Sequence, residues 1–298
     1  MPAQILLFGH GVPMSDPVLA GLSVRDVTRL FRAPVPESRV APLLEPFLDP
    51  YVRGFLLGFE AGAFQDAALI VVWRQGTGAL HAFRYAQELQ RQGLLPATPR
   101  LHLWNRTAGD NPAARAFDAT EDAALAARVD HLPRGPVVDR EGPLAVLDAR
   151  QAAGLISGAM AFARRLKARA TGLPVSTEPG PQTGGPRLAL AGAPLGSDRV
   201  HRWLDAQGQL VLDLQGPDVP SRFPLERMLE RRGVEALVWQ VDPNDDFHGW
   251  NAPAMRARCD RLGIRFVDLG HIPAFPGFRD LPESLATGLP ERLAEGLS

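Results

Sequence analysis

Gly233 to Pro273 reads GVEALVWQVDPNDDFHGWNAPAMRARCDRLGIRFVDLGHIP, and its pattern decides the fold. A short apolar run, Ala236 to Val241, is followed by a turn carrying Asp242, Asp245, Asp246 and His248. Apolar positions at helical spacing then run from Asn251 to Leu262, and a second apolar run covers Ile264 to Leu269. Strand, polar loop, helix and strand make a βαβ unit, whose ligand sites lie at the carboxyl ends of the strands. The turn after Val241 is therefore the first place to seek function.

The same alternation spreads outward from this unit. On its N-terminal side, Arg187 to Gly192 (RLALAG) predicts a strand, Ser197 to Ala206 a helix, Gln209 to Leu214 a strand and Leu225 to Arg232 a helix. On its C-terminal side, Leu281 to Leu297 reads as helical. In the first half, Ile5 to Phe8 is a strand ending in GHGVP, and Pro17 to Phe31 has helical spacing. Val40 to Phe64 reads as largely helical with a break at Asp49–Pro50. AALIVVW, ending at Trp73, is the uninterrupted run of a strand buried on both faces of a parallel sheet. A helix from Ala79 to Arg91, a strand from Arg100 to Trp104 and a helix from Ala113 to Val129 follow. One long helix is expected from Leu147 to Arg169, and TGLPVSTEPGPQTGGP (Thr171 to Pro186) reads as loop or linker.

The expected architecture is α/β: two Rossmann-like lobes, each a small parallel sheet flanked by helices, with an interlobe cleft. Residues 1–145 form the N-terminal lobe, 146–186 a long helix plus Pro/Gly-rich linker, and 187–298 the C-terminal lobe. The two lobes share a loosely similar strand–helix order.

Composition removes several function classes. At 298 residues with 45% apolar and 22% charged side chains the chain is ordinary for a globular protein. Its net charge of -1 favours neither nucleic acid nor an anionic membrane. No apolar run approaches the ~20 residues of a membrane span, and a cytoplasmic location is expected. Cys259 is the only cysteine, which rules out an intramolecular disulfide and a cluster held on this chain's thiolates alone. Its helical spacing marks it as a core thiol. Lys167 is the only lysine and follows no glycine-rich turn, so P-loop chemistry is excluded.

Candidate residues sit in the loops at strand ends. GAPLGSD, with Gly196 and Ser197, can offer amides to a phosphate, or Ser197 and Asp198 can simply cap a helix. Asp242, Asp245 and Asp246 could ligate a hard metal, with His248 suited to a softer one; Asp and Asn also form turns without ligands. His10 is either a ligand or an exposed turn histidine. Trp73, Trp104, Trp239 and Trp250 line an aromatic cleft or pack the sheet ends. Arg74, Gln75, Asn105 and Arg106, at the ends of two further strands, complete the set of ligand-binding candidates. Arginines there suit phosphate or carboxylate groups.

Four stretches resemble the 2-hydroxyacyl-CoA dehydratase / benzoyl-CoA reductase subunit family, in the family's order: Asp49 to Leu89, Pro99 to Phe117, Arg187 to Leu214 and Val238 to Pro273. The resemblance implies two Rossmann-like lobes, pairing with a related subunit, and a [4Fe-4S] cluster on three cysteines fed by an ATP-dependent activator. The matching turns here read Trp73-Arg74-Gln75-Gly76, Asn105-Arg106-Thr107 and Asp242-Pro243-Asn244, without cysteine. The cluster is therefore expected absent from this chain and carried, if anywhere, on a partner. Two expectations follow from the resemblance. The chain is a cluster-free structural or regulatory partner of a cluster-bearing subunit, or a homodimer; or its cleft is repurposed for a CoA ester or other small anion. A third expectation comes from ILLFGHGVP, which resembles the His-bearing turn of tetrapyrrole metal chelatases, with His10 facing the metal.

Overall fold

The computed structural model describes residues 4–29, 37–74, 77–107, 111–215, 225–243 and 246–274, the side chains of Asp246 and Phe247 excepted. The expected helix from Leu281 to Leu297 lies outside them. Two compact units emerge: residues 1–140 with 168–174, and residues 141–167 with 175–298. Among the described residues no helix is long and apolar enough to cross a membrane.

The first unit holds β1 (Gln4–Phe8), β2 (Ser23–Asp26), β3 (Ala67–Arg74) and β4 (Arg100–Asn105). All three strand pairs are parallel, in the order β2-β1-β3-β4. With a period of two, Ile5, Leu7, Leu69, Val71 and Trp73 join one core, where Leu125 and Val129 pack on them. The intervening Leu6, Phe8, Ile70 and Val72 are equally buried. Each such side chain stabilises the fold by about 1.5–3 kcal/mol through burial, which explains why these strands read as unbroken apolar runs.

Helix α1 (Pro50–Glu60) closes the second face through Phe55, whose ring lies 4.5 Å from Phe8 and 5.4 Å from Phe64. Asp49–Pro50, expected as a break, is this helix's start: the Asp49 carboxylate accepts from Tyr51 N at 2.7 Å and proline takes the first helical position. Asn111–Pro112 opens α3 (Pro112–Val129) in the same way. Between them stands α2 (Thr77–Arg91).

Two expectations in this half are corrected. Of the helix expected from Pro17 to Phe31, the described residues 17–29 are not helical beyond one short turn. A 3-10 turn covers Pro17–Leu19, Gly21 adopts φ 72°, and Ser23–Asp26 pairs with β1 from Gln4↔Ser23 to Leu7↔Asp26. The free edge of β1 satisfies a row of backbone groups that an isolated short helix would leave to water, and the pairing prevails. Val40 to Phe64 is helical only at a 3-10 turn, Ala41–Leu43, and at α1.

The helix expected from Leu147 to Arg169 is two helices, α4 (Glu141–Ala152) and α5 (Gly158–Thr171). Gly154, at φ 69°, supplies the left-handed residue that ends α4, and Leu155 N donates back to Arg150 O at 2.9 Å. Ser157 then caps α5, accepting from Met160 N at 3.2 Å.

The second unit repeats the first sheet's order. Strands β5 (Arg187–Gly192), β6 (Gln209–Asp213), β7 (Ala236–Val241) and β8 (Arg265–His271) run parallel as β6-β5-β7-β8. Helices α6 (Arg199–Asp205), α7 (Leu225–Arg231) and α8 (Asp246–Leu262) connect them. One core face gathers Leu188, Leu190, Val238 and Val267; the other gathers Ala189, Leu237, Trp239 and Cys259.

Candidate functional site

In both sheets the strand order reverses direction between the first and third strands of the unit, so the crevice favoured for ligands lies at their carboxyl ends. A glycine allows the approach each time. Gly9 after β1 has φ 135°, and a Cβ there would collide with the carbonyl oxygen of Trp73. Gly192 at the end of β5 has φ 108°, and its Cβ would collide with that of Gln240. Only glycine fits such a backbone.

The neighbouring strand ends are also built alike. Asp26 closes β2 and accepts from Thr28 N at 2.8 Å, while Thr28 Oγ1 accepts from Gly9 N at 2.8 Å. Arg169 pairs with Asp26 at 2.5 Å and donates to Val12 O. Asp213 closes β6 and accepts from Gln215 N at 2.9 Å, while Gln215 Nε2 donates to Ala191 O at 3.1 Å. The partner of Asp213 is His201, fully buried, 3.0 Å away and stacked on Phe162. Burial alone would raise both carboxyl groups. The charge of Arg169 with the Thr28 hydrogen bonds holds Asp26 below the ordinary range, and His201 does the same for Asp213. An ionised Asp213 only accepts, so His201 Nε2 is the donor.

At the carboxyl ends of β3 and β4 an open pocket of about 420 Å³ is lined by Arg74, Thr77 and Leu80 on one side and Asn105, Arg106 and Thr107 on another. Phe117 of α3, 41% exposed, completes the wall. The structure brings Arg74, Asn105 and Arg106 to one pocket within the first unit, with Gln75 outside the described residues.

The two arginines are not equivalent. Arg106 donates to both oxygens of Asp122 (2.8 and 2.6 Å) and to Asp16 (2.7 Å), with its guanidinium 4.9 Å above the Trp104 ring. Burial works against its charge, and these two carboxylates outweigh that, raising its pKa further. Arg74 is exposed, and among the described residues no carboxylate pairs with it. The loop's own amides are occupied as well: Asn105 N donates to Glu121 and Thr107 N to Asp118, at 3.3 and 2.7 Å.

Sequence reading missed this acidic set. Asp118, Glu121 and Asp122 stand at i, i+3 and i+4 on one face of α3, a spacing that announces a shared partner. Asp16, Asp26, Asp213 and His201 were missed too. Their turn bonds are local, Asp16 accepting from Val18 N, Asp26 from Thr28 N and Asp213 from Gln215 N, while the side chains they meet lie 12 to 143 positions away.

In the second unit Gly196, Asp198 and Asp242 are already engaged by the chain itself. Gly196 N donates to Ala274 O at 2.7 Å, and Asp242 Oδ2 accepts from Ala274 N at 2.8 Å. One residue thereby joins the loop after β5 to the loop after β7, and Ala274 is buried. Asp198 stands at the start of α6 without a side-chain capping bond and pairs with Arg202 at 2.9 Å. Ser197 Oγ is buried and has no hydrogen-bond partner among the described residues. His248 lies in the first turn of α8, its carbonyl accepting from Trp239 Nε1 at 3.2 Å. Asp245 is outside the described residues. Among those described, no group of three His, Cys, Asp or Glu side chains is arranged to hold a metal.

His10 packs edge-on against Tyr51, ring centres 4.4 Å apart. Trp73, Trp104 and Trp239 are core residues, the first two meeting edge to face at 4.7 Å, while Trp250 is 83% exposed. Cys259 is buried, and burial pushes its thiol up to about 11, leaving it protonated and unreactive at neutral pH.

No family model matches the chain, and no curated protein matches it. Among solved structures it is similar to the periplasmic zinc binding protein TroA from Treponema pallidum, at 13% identity over 99% of this chain and 97% of that one. The TM-score of that comparison is 0.24, and the likeness carries no argument about this chain.

Proposed function

We propose that this chain is a binding protein whose first unit takes a small organic anion at the carboxyl ends of β3 and β4. The single observation carrying this reading is Arg74, an exposed guanidinium without a carboxylate partner among the described residues, set at the rim of a pocket. Thr77 and Asn105 add hydrogen-bonding groups beside it, and Leu80 and Phe117 add apolar surface. A few convergent polar groups on a partly apolar wall is the usual make-up of a small-molecule site.

The test is calorimetric titration of the full chain with a panel of carboxylates and phosphates, repeated on Arg74→Gln. A charge-assisted hydrogen bond contributes about 1.5–3 kcal/mol, so binding should weaken about tenfold or more. Unchanged affinity in the variant would remove Arg74 from the site and the reading with it. The alternative of a cluster-free partner to a cluster-bearing subunit draws its support from the sequence resemblance alone. Anaerobic co-purification with an iron-containing partner would favour it.

A further inference from the structure

Resting on that reading, we propose that the pocket selects a monoanionic carboxylate attached to a flat apolar body and turns away phosphate esters, CoA esters included. The charges around the pocket carry the inference. Three residues of the pocket wall hold four carboxylates: Asp122 and Asp16 are bonded to Arg106, Glu121 to Asn105 N and Asp118 to Thr107 N. The positive charge of Arg106 is spent on its two partners. What remains for a ligand is one guanidinium, whose planar fork matches the two oxygens of one carboxylate. A second negative charge on the ligand would add to the repulsion from the carboxylates that Asn105, Arg106 and Thr107 hold behind the wall.

Phosphate binding also needs free backbone amides or a helix N-terminus to supply its several donors. The amides of Asn105 and Thr107, which would do this after β4, are held by side chains of α3. The N-terminus of α3 is likewise engaged, Ala114 N donating to Asn111 at 2.9 Å. A phosphate at the loop after β4 would have to displace bonds that the chain already makes; the helix N-terminus on the pocket wall is that of α2, which begins at Thr77.

The apolar part of the ligand is specified by Phe117 and Leu80. Phe117 is a large side chain left 41% exposed on the pocket wall. A ring stacked on it gains about 0.5–1.5 kcal/mol beyond its area burial, a two- to tenfold gain in affinity or about that. Arg74 holding the carboxylate and Phe117 holding the ring fix both ends of such a molecule.

The experiment titrates the full chain with four probes: phenylacetate, phenyl phosphate, inorganic phosphate and CoA. Phenylacetate should bind, and phenyl phosphate should bind at least about tenfold more weakly, given a like-charge penalty of the size of one charged hydrogen bond. Phe117→Ala, a surface substitution that leaves the core intact, should weaken phenylacetate about two- to tenfold. Phenyl phosphate or CoA binding as tightly as phenylacetate, with affinity still dependent on Arg74, would overturn the carboxylate preference and leave the anion site standing. Failure of all four probes would overturn both. Phenylacetate binding that ignores Phe117→Ala and Arg74→Gln alike would overturn the placement of the ligand in this pocket.

Discussion

The two units share one plan and differ in how its edge is finished. Each has four parallel strands in the same order, a glycine where the first strand meets the third, and an aspartate ending the second strand whose turn bonds back to the first. In the second unit Ala274 bridges the loops after β5 and β7, consuming the Gly196 amide and the Asp242 carboxylate. In the first unit a pocket lies beside Arg74 one strand further along, at the carboxyl ends of β3 and β4. Equal topology thus leaves the two carboxyl edges to be finished differently, and the loops decide whether the chain itself fills them.

The sharpest test of this equivalence acts on the buried aspartates. Arg169→Met leaves Asp26 charged, buried and without its cation, and should cost about 3–5 kcal/mol in urea unfolding. His201→Phe should cost less, because Arg165 also lies close enough to stabilise the charge of Asp213. Equal losses would show that the two pairs are interchangeable. Both carboxyl groups have folded pKa values below their unfolded ones, so the unfolded chain binds more protons as pH falls through this range. Their contribution to stability is present above about pH 4, the ordinary carboxylate value, and is lost as pH falls through the depressed values. Asp26→Asn should flatten that acid limb; an unchanged limb would mean that Asp26 does not report on unfolding.

Gly192→Ala and Gly9→Ala address the next largest effect. Each adds a Cβ at positive φ against a backbone carbonyl, and each should cost about 2–4 kcal/mol through strain and overlap. The thermal midpoint of each variant measures it. A tolerated alanine at one site and not at the other would break the structural equivalence at that strand end.

Asp242→Ala should have the smallest effect of the three, about 1–3 kcal/mol, by leaving the Ala274 amide buried without its acceptor. Hydrogen exchange should speed up at the amides of Ala274 and Gly196 and stay unchanged at those of Asn105 and Thr107. Faster exchange at both edges would mean that the closure of the second unit also stabilises the first.

Buried strands announce themselves locally. Ala236 to Val241 and Arg187 to Gly192 are strands to the residue, because buried parallel strands demand unbroken apolar runs. Pro17 to Phe31 misled because its apolar spacing fits a helix while its fate depended on β1 offering an edge. Within Leu147 to Arg169 the break was legible after all, in Gly154 and Ser157, and a continuous apolar face obscured it.

The site divides in the same way. That Arg74, Asn105 and Arg106 belong at strand ends followed from the order of runs and turns, and that no cysteine stands in those turns followed from reading them. The residue types available at each strand end, and the α/β class itself, were thus determined by sequence alone, since side-chain period and backbone preference act over a few neighbours. Which of those residues remain available was decided by tertiary structure. Arg106 is taken by Asp16 and Asp122, Asp242 by Ala274, and Asp26 by a residue 143 positions away. Charges and hydrogen bonds are satisfied by whichever group the fold brings within about 3 Å, and no local pattern records that choice.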